Sequence, residues 1–313
     1  MTTNTTIQTS DERTGKARKI AFYVFLVLFG LMHIAFGLMP YVILGWFIEE
    51  GAISHRVHLI SFGWVFVLSF VALLAQLRRP ETKVAQMYQV LIAIGFLAVT
   101  TIVVDRLIDA IVIAFMVLPL LLVALHPNRR ALRRPSLNVS KTLAALALVA
   151  AIPLLIDTFV QFRIGLEAAQ VAPQILEDVD ARLSDEGLSD AELEDRFERE
   201  FTAEARRATG SAEEAEEVVH YGHWSAMGAF NLIITGLAFV AALRPPGWRL
   251  PAWSAGLSAL LYGAASIANP GDASAANRYW SVFAIAWGIG FIVIAEATKR
   301  ESAPREVVDP ATA

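Results

Sequence analysis

Long apolar stretches without charges alternate with short polar connections along most of the chain. Eight of them are about as long as the roughly 20 residues that a helix needs to cross a bilayer, where lipid leaves every backbone group to be satisfied inside the helix. These predicted spans cover 20–39, 57–77, 87–104, 107–125, 142–162, 222–243, 251–268 and 279–297. The pattern therefore predicts an all-α, polytopic membrane protein with eight transmembrane helices.

Two parts of the chain repeat each other at a spacing of 165 residues. Residues 49–80, EEGAISHRVHLISFGWVFVLSFVALLAQLRRP, align without a gap with residues 214–245. The matched pairs are His55 with His220, His58 with His223, Gly63 with Gly228, Arg79 with Arg244 and Pro80 with Pro245. We interpret 19–127 and 142–298 as two four-helix repeats. Because each repeat has four spans, both enter the membrane in the same direction, and the repeats are parallel.

The distribution of Lys and Arg predicts the orientation. Composition agrees with a membrane protein, since 56% of residues are hydrophobic and the mean hydropathy is +0.52. Basic residues concentrate in every second connection, whereas the short connections between them carry only Arg56, Arg106 and Arg278. The positive-inside rule then places both termini in the cytoplasm of a bacterial-type inner membrane. We expect a disordered cytoplasmic tail over 1–18, a basic cytoplasmic linker over 128–141 and a second tail over 299–313. No small-residue cleavage site follows the first span, which predicts a retained helix.

The connection 164–219 differs from all others in its charge. It carries 17 acidic and five basic residues, a net charge of −12 in a chain of net charge −4. Apolar residues recur within it at near-helical spacing, and Ser189 with Glu192, like Ser211 with Glu214, forms a capping-box pattern. We predict a small acidic extracytoplasmic helical cap. It either keeps an outer domain solvated, gathers cations above the membrane, or docks a membrane protein partner.

Histidine and carboxylate residues carry the candidate chemistry. The chain has no cysteine, which excludes disulfides and iron–sulfur clusters, and four of its six histidines form two His-x-x-His pairs. Imidazoles and carboxylates suit a transition metal such as Zn, Cu or Fe, and histidines also ligate haem. Asp157 aligns with His33 when LID is matched to LMH. We predict metal ligands among His55, His58, Glu216, His220, His223 and Asp157, or a haem held by His33, His58 and His223. The alternative is a set of interfacial histidines without a cofactor.

The first half resembles the DoxX-like membrane proteins in its four-span arrangement and in the run FLVLFGLMHIAFGLMP. This resemblance implies a four-helix unit, here duplicated, and an association with quinone-linked redox reactions.

Three classes of function remain open. The first hypothesis is an outward-facing His/carboxylate site that binds a transition metal or haem for membrane redox or metal handling. The second is a carrier or binding protein with an apolar ligand or ion between the repeats, and the third is a scaffold subunit of a membrane complex. The chain has no Gly-rich phosphate loop and no Gly-x-Ser-x-Gly, and its short basic loops indicate no nucleic-acid partner.

Overall fold

The computed structural model describes residues 4–39, 56–104, 110–184, 189–209, 223–272 and 274–301. These residues form helices and short connections, and no strand occurs among them. The helices are α1 (Asn4–His33), α2 (Arg56–Gln76), α3 (Val84–Val103), α4 (Ala110–Leu125), α5 (Arg129–Arg133), α6 (Lys141–Ser184), α7 (Asp190–Thr209), α8 (His223–Leu243), α9 (Arg249–Ala268) and α10 (Arg278–Glu301). A π-helical turn, Ile34–Leu38, continues α1, and a 3₁₀ turn, Pro80–Thr82, follows α2.

Seven of the described helices are long and apolar enough to cross a membrane. They are α1 with its π-helical turn, α2, α3, α6, α8, α9 and α10. The remaining apolar helix, α4, is shorter. It corresponds to the predicted span 107–125, whose first residues lie outside the described part of the chain. The predicted all-α class is confirmed, and these seven helices fit the predicted membrane protein, while the count of eight spans stays a prediction.

Two helices extend well beyond the apolar stretches that predicted them. Helix α1 begins at Asn4, so that residues 4–18, for which we predicted a disordered tail, are helical from residue 4 onward. Helix α6 has 44 residues and continues past the predicted span 142–162 to Ser184, in spite of Pro153 and Pro173. At 1.5 Å per residue it is about 66 Å long, twice what a bilayer core requires. Hydropathy marks where a helix meets lipid, and it does not mark where the helix stops.

The centre of the bundle consists of four helices from the two predicted repeats. Helices α2 and α3 both pack against α8 and α9, while α1 and α4 flank one side and α6 and α10 the other. Two features recur at the spacing of 165 residues. Helices α3 and α9 begin and end at matched positions. Arg79 and Arg244 both adopt the left-handed backbone conformation, with φ of 54° and 51°.

The acidic connection begins as a continuation of α6, which turns back as α7 to form a helical hairpin. Its seam buries Ala172, Ile175, Val179, Leu183, Phe201 and Ala205. The carboxylate part of the predicted capping box is present, because Glu192 Oε2 accepts from the backbone N–H of Ser189 at 3.2 Å, and the Ser189 hydroxyl also donates to this oxygen, at 2.6 Å. The Ser189 hydroxyl is the main reason why the pKa of the Glu192 carboxyl lies below its ordinary value. The second predicted box, at Ser211 and Glu214, lies outside the described residues.

One end of the bundle, which we call the hairpin end, is the end where α6 passes into this acidic hairpin. Gly165 of α6 lies there against Val104, which follows α3, and against Trp224 at the start of α8. The N-terminus of α2 is at the same end, since His58 in its first turn contacts His223 at the start of α8. At the opposite end the linker joins α8, where Asn138 N donates to Leu243 O at 3.1 Å.

Candidate functional site

Two histidines from matched positions of the repeat meet at the hairpin end. His58 lies in the first turn of α2 and His223 is the first residue of α8. Their rings are stacked, with centroids 4.3 Å apart and planes 16° apart. Phe62 extends the stack on the side of His58, and Trp224 meets His223 edge-on. The structure thus brings together two of the residues that the sequence predicted as ligands.

A short connection between α9 and α10 fixes this histidine pair. Asp272 accepts a hydrogen bond from Val57 N through Oδ2, at 3.0 Å, and one from Ser274 N through Oδ1, also at 3.0 Å. The Ser274 hydroxyl lies 2.5 Å from His223 Nε2. The connection of the second half therefore caps a helix of the first half and orients its own histidine. Neither Asp272 nor Ser274 was predicted from the sequence, although Asp two positions before Ser is a common turn pattern.

The geometry of the pair limits what it can bind. The lone pair with which an imidazole nitrogen binds a metal lies in the plane of the ring. Two nearly parallel, stacked rings do not aim their lone pairs at one point, so one ring must rotate before both can ligate a single ion. Rings in contact also leave no space for a porphyrin between them, and the pair does not fit a haem held by His58 and His223.

The other predicted ligands do not complete a site in the described part of the chain. Within it, no group of three or more His, Asp or Glu residues is placed to hold a metal ion. His33 and Asp157 lie elsewhere, as described below. His55, Glu216 and His220 lie outside the described residues.

The contact between Ser274 and His223 also resembles the nucleophile and base of an acyl-transfer enzyme. Such enzymes need backbone N–H groups near the serine to stabilise an oxyanion. Here the N–H groups of Ser274 and Ala275 donate to Asp272 and that of Ala276 donates to Ser266. This loop therefore offers no such donor from residues 274–276, and the hydrogen bond serves to orient His223.

His33, predicted as a haem ligand, lies fully buried in a cage of phenylalanines on the first half. Its Nδ1 lies 2.9 Å from Phe29 O, and its Nε2 lies 2.8 Å from Ser69 Oγ. The rings of Phe29, Phe66 and Phe115 surround it at centroid distances of 4.3 to 5.9 Å. Both ring nitrogens are engaged inside the protein, so ligation of a cofactor by His33 would require one of these bonds to break.

Asp157, predicted as a metal ligand, lies in the wall of a cavity of about 660 Å³ within the second half. Helices α6 and α10 form the two sides of this cleft, and residues of α8 and α9 form its floor. The polar side chains that line it are Asp157, Gln161, Asn231, Tyr262, Ser274 and Asn277. The second hypothesis placed a cavity between the repeats, but the described residues that line this cleft all lie within 150–287.

The cleft opens toward an exposed apolar face of the bundle. On one side of the cleft a hydrogen bond joins α10 to α6, because Trp287 Nε1 donates to Leu146 O at 3.0 Å. Farther along the same helices, lining residues such as Ile156 and Trp280 are exposed, at 62% and 52%. The cleft is therefore accessible from the side, between the two helices.

The carboxylate of Asp157 has polar neighbours but no cationic partner among the residues that the structure describes. Asn231 Nδ2 donates to its Oδ2 at 2.7 Å, and Gln161 Nε2 donates to the same oxygen at 3.3 Å. No Lys or Arg among the described residues forms an ion pair with it. Asp157 lies 16 residues after the start of α6, about 24 Å along a helix that crosses a core of about 30 Å. A charged group at that depth usually marks a functional site.

The matched place in the first half is filled by side chains. Phe66 precedes Asn231 by 165 residues, and His33 is the residue that the sequence aligned with Asp157. In the first half these two residues pack against each other inside the phenylalanine cage. The two predicted repeats thus differ at this place, which is packed in the first half and is part of a polar cleft in the second.

Comparisons with protein-family models, with curated proteins and with solved structures find no match for this chain. The class that the structure itself defines is an all-helical protein with seven described helices long and apolar enough to cross a membrane, and with a cleft between two of them. The resemblance to DoxX-like proteins stays a prediction.

Proposed function

We propose that this protein is a membrane-embedded binding or carrier protein, which takes an amphipathic ligand from the bilayer into the cleft between α6 and α10. The observation that carries the proposal is the cleft itself. Its volume of about 660 Å³ is in the range of small-molecule sites, which are mostly apolar with a few placed polar groups. This was the second hypothesis from the sequence, with the site moved from between the repeats into the second half.

Two tryptophans make ligand entry directly measurable. Trp280 and Trp287 line the cleft, whereas Trp253 lies outside it and donates to Glu296 at 2.8 Å. Bromodecanol, decanol brominated at its terminal carbon, should quench tryptophan fluorescence of the detergent-purified protein in a saturable manner, because bromine quenches indole on contact. It should also raise the melting temperature with concentration, since it binds only the folded state.

The matched variants locate the quenching. Replacing both Trp280 and Trp287 with Phe should remove its saturable part, and Trp253→Phe should leave it unchanged. Quenching that rises linearly without saturation, with no shift of the melting temperature, would mean that the alcohol only partitions into the micelle, and the proposal would be wrong.

We further infer eight spans in two parallel repeats, with both termini in the cytoplasm of an inner membrane. The shared offset of α3 and α9 and the left-handed Arg79 and Arg244 support the duplication, and the Lys/Arg asymmetry supports the orientation. A tag in the acidic hairpin should react with impermeant reagents on intact cells, and a C-terminal tag only after permeabilisation. A protected hairpin together with a labelled C-terminus would reverse the orientation.

A transition-metal site at the histidine pair is the second candidate, favoured by one observation, the contact between His58 and His223 across the two halves. Such a site needs rotation of one ring and further ligands from His55, His220 or Glu216. Metal analysis of the purified protein is its first test. The acidic hairpin is the surface that we propose for a membrane protein partner, because of the strong net negative charge of 164–219, and co-purification of a second subunit tests that role.

A further inference from the structure

We propose that the ligand of the cleft carries a protonated primary or secondary amine, which binds at Asp157. This inference rests on the proposed function, because it assigns the head group of a molecule whose apolar body occupies the same cleft. It follows from the charge of the site, from its hydrogen-bond donors and acceptors, and from its size.

The charge of the site calls for a cation. A carboxylate within the span of a membrane helix is costly unless it is paired, and the two amides that contact Asp157 supply dipoles but no charge. The described residues around the cleft contribute no Lys or Arg to its lining. A cationic ligand supplies the missing partner when it binds. The empty site therefore binds cations more tightly than neutral molecules of the same size.

The hydrogen-bonding groups of the site favour a ligand that donates hydrogen bonds. Both amide N–H groups that reach Asp157, from Asn231 and Gln161, are directed at the single oxygen Oδ2. Gln161 is 8% exposed, and its Oε1 is a buried acceptor without a hydrogen-bond donor. Oδ1 of Asp157 and Oε1 of Gln161 can therefore each accept a hydrogen bond from a ligand. An ammonium group with two or three N–H bonds satisfies both, an alcohol supplies one donor, and a quaternary ammonium supplies none.

The size of the cleft argues for an organic cation rather than a bare ion. A volume of about 660 Å³ lined mainly by apolar side chains would remain largely empty around a metal ion. Trp280, Trp287 and Tyr262 present aromatic surface to an alkyl or aryl body. Helix α6 also continues from Asp157 directly into the acidic hairpin, and that negative region raises the local concentration of cations.

The test compares probes that share one decyl chain and differ only in the head group. Decylamine, decyltrimethylammonium and decanol compete with bromodecanol for the cleft of the purified full-length protein, and tryptophan fluorescence gives each affinity. We expect decylamine to bind at least about tenfold more tightly than decanol, with decyltrimethylammonium in between. In Asp157→Asn the preference for decylamine should disappear while decanol binding persists, which shows that the cleft is still folded. Asp178→Asn, which removes the same charge from the exposed hairpin part of α6, should leave the preference intact.

A second variant tests the role of the donors and does not depend on how Asp157→Asn folds. Gln161→Leu keeps the carboxylate but removes the buried acceptor, so the advantage of decylamine over decyltrimethylammonium should shrink. Equal binding of decylamine and decanol to the wild-type protein would overturn the amine inference and leave the proposed function standing. Binding of none of the probes would overturn both. Stabilisation by Na⁺ alone that depends on Asp157, without a preference for amines, would identify an inorganic cation site instead and overturn this inference.

Discussion

Replacing Ala284 with tryptophan should abolish saturable binding in the cleft. Ala284 lies on the side of α10 that lines the cavity, next to Phe283 and one turn from Trp280. An indole at this position occupies much of the space between α6 and α10, and a ligand can enter only by displacing it. We therefore expect the quenching by bromodecanol and the ligand-dependent rise in melting temperature both to be lost.

The neighbouring position Ala286 provides the matched control for this substitution. It lies on the same helix, but it is exposed and does not line the cleft. Ala286→Trp adds the same ring to the surface that lipid covers, and binding should stay at the wild-type level. If both variants bind bromodecanol as the wild type does, the ligand lies elsewhere and the cleft is not the site.

Substitution of His58 or His223 should lower the content of any bound metal, whereas substitution of His33 should lower the stability of the protein. If the purified protein carries a metal, His58→Ala and His223→Ala should each remove most of it. His33→Ala should leave the metal content unchanged but lower the free energy of unfolding by about 2–5 kcal/mol, the range for large-to-alanine truncations in packed cores. The reason is that His33 is fully buried and hydrogen-bonded through both nitrogens.

Metal analysis and thermal unfolding of the three variants provide the measurement. Ser69→Ala, which removes one hydrogen-bond partner of His33 and little volume, should destabilise much less than His33→Ala. A wild-type protein that carries no metal and takes up none would end the metal hypothesis. Loss of metal in His33→Ala would show that His33 supports the metal site, contrary to its position inside the phenylalanine cage.

The sequence predicted the helices that could span a membrane and selected both histidines of the pair, for identifiable physical reasons. Uncharged stretches of about 20 residues have few alternatives to a membrane helix. The predicted repeat matched His58 with His223, and the structure stacks these two residues, although their contact was not predicted. Patterns that depend on spacing along one chain or on a repeat can be interpreted without a structure.

The cleft could not be predicted in the same way, because its walls come from four helices. Gln161 follows Asp157 by one helical turn, but Asn231 looks like an isolated polar residue within an apolar span, and only the packing of α6 against α8 places it on the same oxygen of Asp157. Asp157 was selected, but for metal binding, since its neighbours were unknown. Ser274 and Asp272 belong to a short loop whose contacts cross from one half to the other. The helix ends at Asn4 and Ser184 were missed because hydropathy describes only the part in lipid.

The interface between the two halves has the form that a symmetric homodimer would have. Helix α2 packs on α9 as α3 packs on α8, and the matched residues His58 and His223 touch each other, as identical residues do on a twofold axis. An ancestral single unit would have paired with its own copy through this surface, and every substitution would then have changed both sides. In one chain that carries both predicted units, the faces away from the axis are free to differ. The second predicted unit accordingly holds Asp157 and Asn231, which line the cleft, where the first holds His33 and Phe66, which pack against each other.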